Sequence, residues 1–100
     1  MKKKTKEIFL YELFEIISLR SKSKDNKSYT KQLLKSGKNK IAQKVGEESA
    51  ELIIDYLNGT KQRTIEEASD LIYHLFVLLY SKKISLDDVD RELSKRHNVQ

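Results

Sequence analysis

The chain has 100 residues, no cysteine and no proline, and its 20 Lys/Arg against 15 Asp/Glu give a formal net charge of +5. That length suits a single domain with a modest core, and the missing cysteines exclude disulfides, zinc–thiolate sites and cysteine nucleophiles. The longest apolar run, Leu71–Tyr80, has ten residues and includes His74, short of the roughly 18 needed to span a bilayer.

Strong helix formers dominate, the only glycines are Gly37, Gly46 and Gly59, and no segment alternates cleanly with period two. The prediction is an all-α domain, a four- to five-helix bundle. A first helix is expected over Lys6–Ser21, where Phe9, Leu10, Leu13, Ile16 and Leu19 widen the apolar stripe enough to touch more than one neighbour. Ser21–Lys27 is polar and turn-rich, hence a loop. A short helix follows over Tyr29–Ser36, with Ser28 as N-cap and Gly37 as its stop.

Asn39 is the expected N-cap of a third helix, Lys40–Leu57, which ends at Asn58-Gly59. Gly46 lies inside it. An internal glycine costs about 1 kcal/mol relative to alanine, which points to close approach of a second helix or a ligand. The fourth helix is expected from near Thr64, where Thr64-Ile65-Glu66-Glu67 fits a capping box, with Thr60 as an earlier alternative, and runs to Ser81. From Leu71 to Tyr80 it is apolar nearly all round, more than three short helices cover, so part of it is expected to meet a second subunit. Lys82 and Lys83 close it against its dipole. Ser85 caps a fifth helix, Leu86–Lys95, with Asp87 and Asp88 in its first turn. Residues 1–6 and 97–100 are expected to fray.

Met1–Lys6 is basic, but Glu12 and Glu15 interrupt the apolar stretch after it, so no secretory leader is read there. The expectation is a soluble cytoplasmic protein with no membrane partner. The basic excess fits a lysine-rich solvated surface or an anionic partner. No nucleic-acid motif accompanies it, and no nucleic-acid partner is expected.

Carboxylates carry the chemistry. Glu48 and Glu51 stand three apart, and Glu67 and Asp70 repeat that spacing on the next helix. Residues three or four apart share one side of a helix, and a short connection favours antiparallel packing, so the two acidic steps can face each other. Each step adjoins apolar sequence. Two like charges 4 Å apart cost about 1 kcal/mol in water and about 4 kcal/mol at an effective dielectric of 20. The acids therefore turn to solvent, pair with lysines such as Lys44, or hold a cation. Mg²⁺ takes hard oxygen ligands and keeps phosphate or water in its remaining positions. Spacing alone leaves the solvated acidic face open.

The surrounding residues narrow the choice. Glu47-Glu48-Ser49-Ala50-Glu51, fifteen residues, then Glu67-Ala68-Ser69-Asp70 resembles the EExxE…ExxD pattern of the all-α nucleoside-triphosphate pyrophosphohydrolase (MazG-like) superfamily. Ser28-Tyr29-Thr30, Leu33-Leu34, Gly37, the run from Lys40 to Glu48 (KIAQKVGEE), Asp70–Leu75 and Leu86–Val89 resemble one family within it, phosphoribosyl-ATP pyrophosphohydrolase. The resemblance covers about residues 7–96.

It implies Mg²⁺-dependent hydrolysis of phosphoribosyl-ATP to phosphoribosyl-AMP and pyrophosphate in histidine biosynthesis, by a homodimer. It implies one or two Mg²⁺ ions held by Glu48, Glu51, Glu67 and Asp70, with Glu47 and Glu48 in catalytic roles, Glu47 as further ligand or water-orienting group. It implies contacts to substrate from Lys44, Lys40, Tyr73 and His74, and assigns Tyr29 and Gly37 to shaping the segment over the site. Ser49 and Ser69 stand where the family pattern suggests alanine and can add hydroxyl hydrogen bonds beside the ligands. Relatives fused to a cyclohydrolase carry cysteine ligands absent here, so a monofunctional enzyme is expected. The alternatives are a house-cleaning nucleoside-triphosphate pyrophosphohydrolase and a basic helical binding module without catalysis.

Overall fold

The computed structural model describes residues 8–97. Among them the chain forms α1 (Phe9–Ser21), α2 (Tyr29–Ser36), α3 (Lys38–Asn58), α4 (Lys61–Ser81) and α5 (Leu86–His97), and no strand. The all-α expectation holds. The expected fraying at residues 1–6 and 98–100 lies outside the described residues, whereas His97 is helical, so α5 runs two residues past its expected end.

α3 and α4 are the two long elements and pack on each other as an antiparallel hairpin across Gly59-Thr60. α1 packs on both α2 and α4, but it does so through Leu13, Phe14 and Ile17; Phe9, Leu10 and Leu19 of its wide stripe stay exposed. The core is small: Ile17 from α1, Leu33 from α2, Ile41 from α3, and Phe76 and Val77 from α4. Phe14 closes it edge-on, its ring 5.4 Å from Phe76 and 6.4 Å from Tyr80. α5 has no buried residue and reaches this core only through Leu86. No helix among the described residues is long and apolar enough to cross a membrane.

The caps show where local signals prevailed. Ser28 Oγ accepts from the Lys31 amide, as expected of an N-cap. Ser85 and Asp88 cap α5 reciprocally: the Asp88 amide donates to Ser85 Oγ at 3.1 Å and the Ser85 amide to Asp88 Oδ2 at 2.9 Å.

Four expectations are corrected. α3 starts at Lys38, not Lys40, and Asn39 sits in its first turn instead of capping it. Gly37 is the junction itself: its amide donates to the Leu34 carbonyl, ending α2, and its own carbonyl accepts from the Ile41 amide, starting α3. α4 starts at Lys61, the earlier of the two alternatives, because Thr60 Oγ1 accepts from the Arg63 amide at 3.1 Å. The Thr64 hydroxyl is already donated to the carbonyls of Thr60 and Asp55, so the capping box at Thr64 does not form. Finally, a Cβ on Gly46 would meet nothing within 4 Å among the described residues, so none of the described helices crowds that position.

Gly37 adopts φ 95° and ψ 170°, a region essentially restricted to glycine. A Cβ there would meet nothing within 4 Å, so any penalty comes from the backbone alone. Gly37→Ala is expected to lower unfolding stability by about 1–3 kcal/mol, read as a shift of the urea midpoint at unchanged m-value. A midpoint equal to the parent's would refute the strained junction.

Candidate functional site

The α3–α4 hairpin brings the two acidic steps together. Glu48 on α3 and Glu67 and Asp70 on α4 each present an oxygen within 4.8 Å of the others. Glu48 and Glu67 are buried, at 6% and 4% exposure, while Asp70 is open to solvent. Burial follows from helical phase. Ile41 lies seven residues before Glu48, and His74 lies seven after Glu67, so each acid sits on the inward stripe of its own helix.

Two side chains hold this negative charge in place. Lys44 Nζ lies 3.4 Å from both Glu47 Oε1 and Glu48 Oε2. Desolvation works to lower its pKa, but Glu47, Glu48 and nearby Tyr29 outweigh it, and the ammonium is held above its usual range. Arg63 spreads over three acids: Nη1 is 2.6 Å from Glu66 Oε1, and Nη2 is 2.6 Å from Glu67 Oε2 and 3.6 Å from Asp55 Oδ2. Arg63 is absent from the sequence-derived site. Its signal was the i,i+3 and i,i+4 spacing to Glu66 and Glu67.

These cations do not satisfy the cluster. Glu67 Oε1 is buried and meets no hydrogen-bond donor. Burial pushes the Glu67 carboxyl above its usual range, the adjacent Glu51 carboxylate pushes it further, and Arg63 opposes both. A lone carboxylate oxygen, buried among other carboxylates, is the donor set a hard divalent cation takes. The residues present therefore fit Mg²⁺ in kind, with Glu48, Glu67 and Asp70 as the central three and Glu51 beside Glu67.

The other expected residues spread around this centre. Glu47 lies outside the three-carboxylate group: it is exposed on α3, accepts a 2.8 Å hydrogen bond from Gln43 Nε2, and is held low by Gln43 and Lys44. Lys40 is exposed one turn before Lys44, close enough to contribute to lowering Glu47. Ser49 and Ser69 donate to the Val45 and Ile65 carbonyls of their own helices, each at 2.8 Å, so the hydroxyl hydrogen bonds they add go to backbone.

Tyr73 and His74 tie α2 to the centre. His74 is buried, and its Nδ1 lies 2.7 Å from the Asp70 carbonyl, which can only accept. A neutral ring therefore carries its proton on Nδ1 and accepts at Nε2 from the Tyr29 hydroxyl, 3.0 Å away. The Tyr73 hydroxyl bonds buried Thr30, and its ring stacks on Tyr29 with centroids 6.1 Å apart. Both ring nitrogens of His74 are occupied, and the pair clasps the start of α2. That places half-exposed Tyr29 beside Lys44.

The sequence pattern described as phosphoribosyl-ATP pyrophosphohydrolase matches residues 10–97, nearly the whole chain. The chain belongs to the phosphoribosyl-ATP pyrophosphohydrolase family. It is 50% identical over 84 residues to a protein named phosphoribosyl-ATP pyrophosphatase from Sulfolobus acidocaldarius, covering 84% of this chain and 88% of that one. It is 48% identical over 87 residues to one of the same name from Pyrobaculum neutrophilum, covering 87% and 93%. It is also 50% identical over 91 residues to the histidine biosynthesis bifunctional protein HisIE of Bacteroides thetaiotaomicron; there the match covers 91% of this chain and 45% of the relative. The chain thus spans less than half of that bifunctional relative and most of the other two. The family assignment accords with the KIAQKVGEE run that leads α3 into Glu48.

The raised carboxyl of Glu67 sets the sign of a pH effect. Its proton is held more tightly in the folded chain, so its contribution favours folding below the ordinary value of 4.5 and is lost as pH rises through the raised value. Glu67→Gln removes that loss. In chelator, the variant is expected to melt a few degrees above the parent at about pH 7, with the gap closing towards about pH 4. Thermal unfolding followed by circular dichroism checks this; an equal or lower midpoint at neutral pH would show that Glu67 is not a stressed acid.

Proposed function

We propose that this chain hydrolyses phosphoribosyl-ATP to phosphoribosyl-AMP and pyrophosphate, as a Mg²⁺-dependent step of histidine biosynthesis in the cytoplasm. The observation that carries the reading is the Glu48–Glu67–Asp70 cluster with its donorless buried oxygen. The family match supplies the substrate class.

In this reading Glu48, Glu51, Glu67 and Asp70 hold the metal. When bound, Mg²⁺ neutralises phosphate charge, and carboxylate-held ions of this kind polarise the phosphoryl group and its attacking water. The protein's own residues do the rest. Lys44, held charged beside Glu48, and Lys40, one turn earlier, offer positive field to the triphosphate. Glu47, exposed on the helix surface and kept ionised by Gln43 and Lys44, can accept a hydrogen bond that orients the attacking water. Tyr73 and His74 act by holding Tyr29 over the phosphate-facing side of α3, where its exposed ring can meet the substrate.

A homodimer belongs to the same proposal. Ile53, Ile54, Tyr56 and Leu57 on α3 and Ile65 on α4 are all about half exposed or more. They form an apolar end of the hairpin that a second copy would cover. The radius of gyration of 15.6 Å exceeds the roughly 13 Å of a compact 100-residue domain, as suits a protomer shaped to be completed. Ile54→Asp combined with Leu57→Asp is expected to halve the mass seen by sedimentation equilibrium. A parent that already sediments as a monomer would remove the dimer.

The activity is tested by pyrophosphate release from phosphoribosyl-ATP and from a panel of ordinary and modified nucleoside triphosphates, with Mg²⁺ and with chelator. Release from phosphoribosyl-ATP that chelator abolishes is expected, as is loss of turnover in Glu51→Gln and Asp70→Asn with helicity unchanged. Turnover of the other triphosphates alone would identify a house-cleaning enzyme. Near-parent activity in both variants would displace the site.

A further inference from the structure

We propose that Arg63 is a positioning residue for the metal centre: it grips Oε2 of Glu67 and so fixes the carboxylate with Oε1 as the single oxygen offered to the ion. This rests on the metal reading above and adds a residue outside the acidic pattern.

Arg63 is the third residue of α4, with its amide donated to the Thr60 cap. A cation in the first turn opposes the helix dipole, and the first turn of α4 holds no acidic residue to offset it. The side chain is compensated only by reaching out, and it reaches three carboxylates on two helices: Asp55 on α3, and Glu66 and Glu67 on α4. The planar guanidinium makes this possible, because its two terminal nitrogens point in fixed directions. Nη1 is anchored on Glu66 and Nη2 on Glu67, both at 2.6 Å.

The Glu67 carboxylate is thereby divided. Oε2 faces the guanidinium, and Oε1 is buried with no donor. Without Arg63 the carboxylate would be free to rotate either oxygen, or both, towards Glu48 and Asp70. With it, the metal-facing geometry is set before the ion arrives. Partners outside the ligand set that orient ligating carboxylates typically affect metal affinity by about 10- to 100-fold. The rival role for Arg63 is a stand-in cation that occupies the site until metal displaces it, and that role has the opposite sign.

Mn²⁺ titration of the substrate-free protein, with free ion read from its electron paramagnetic resonance signal, separates these. Arg63→Gln is expected to bind Mn²⁺ about 10- to 100-fold more weakly than the parent, with its helicity by circular dichroism unchanged. Arg63→Lys, which keeps the charge but loses the fork, is expected to be weakened as well, and it decides the matter if Arg63→Gln does not fold. Equal or tighter binding by Arg63→Gln overturns the proposal in favour of the stand-in cation. Parent affinity in Arg63→Lys overturns it by showing that charge alone suffices. A change in melting temperature with unchanged Mn²⁺ affinity marks a merely structural residue and also overturns it. A parent that binds no Mn²⁺ instead brings down the metal reading itself, so the two failures are distinguishable.

Discussion

The structure turns on the cost of burying carboxylates between two helices. Glu48 and Glu67 face one another across the α3–α4 hairpin with almost no solvent contact, and an uncompensated charge in such a place is expensive. Lys44 and Arg63 meet part of that cost from opposite sides. What they leave, the donorless Glu67 oxygen, is the part a divalent cation can satisfy. The chain is basic overall, yet its hairpin gathers Glu47 and Glu48 on Lys44, and Asp55, Glu66 and Glu67 on Arg63, with Asp70 beside Glu48 and Glu67. A local concentration of negative charge therefore coexists with a net positive chain.

The rest of the fold serves to hold that hairpin in register. The small core of Ile17, Leu33, Ile41, Phe76 and Val77 lies along the flank of α4 beyond the acids. Tyr73 and His74, three and four residues after Asp70, carry the connection from core to site. Their bonds to Tyr29 and Thr30 fasten α2 at the edge of the acidic cluster. Gly37 lets α2 pass directly into α3 with no loop between them, so its backbone conformation and the bonds to His74 and Tyr73 together fix where Tyr29 stands. The site is built from two rigid helices and one short, clasped one.

The same economy leaves surface unfinished. Among the described residues the core has five buried apolar side chains, and large side chains on α1 and at the turn end of the hairpin stay exposed. Gly46 adds to this: a Cβ there would meet nothing within 4 Å among the described residues, so no close approach to them explains its cost within a helix.

Helix content, the loop at Ser21–Lys27, and the caps at Ser28 and Ser85 were legible in the sequence, because each depends on contacts within a few residues. So were the two acidic steps, since a three-residue spacing fixes side-chain direction on any helix. The helix start at Lys38 was not, because Asn39 looked like its cap while Gly37 is the junction. The start at Lys61 was legible only as one of two alternatives, Thr60 and Thr64, and the Thr64 hydroxyl is donated to the Asp55 and Thr60 carbonyls instead of capping. The tertiary structure alone decided which acids are buried, that Arg63 divides the Glu67 carboxylate, and that His74 is occupied at both nitrogens. Those facts depend on which faces two helices turn to each other, and that is determined by the whole core at once, not by any local run of residues.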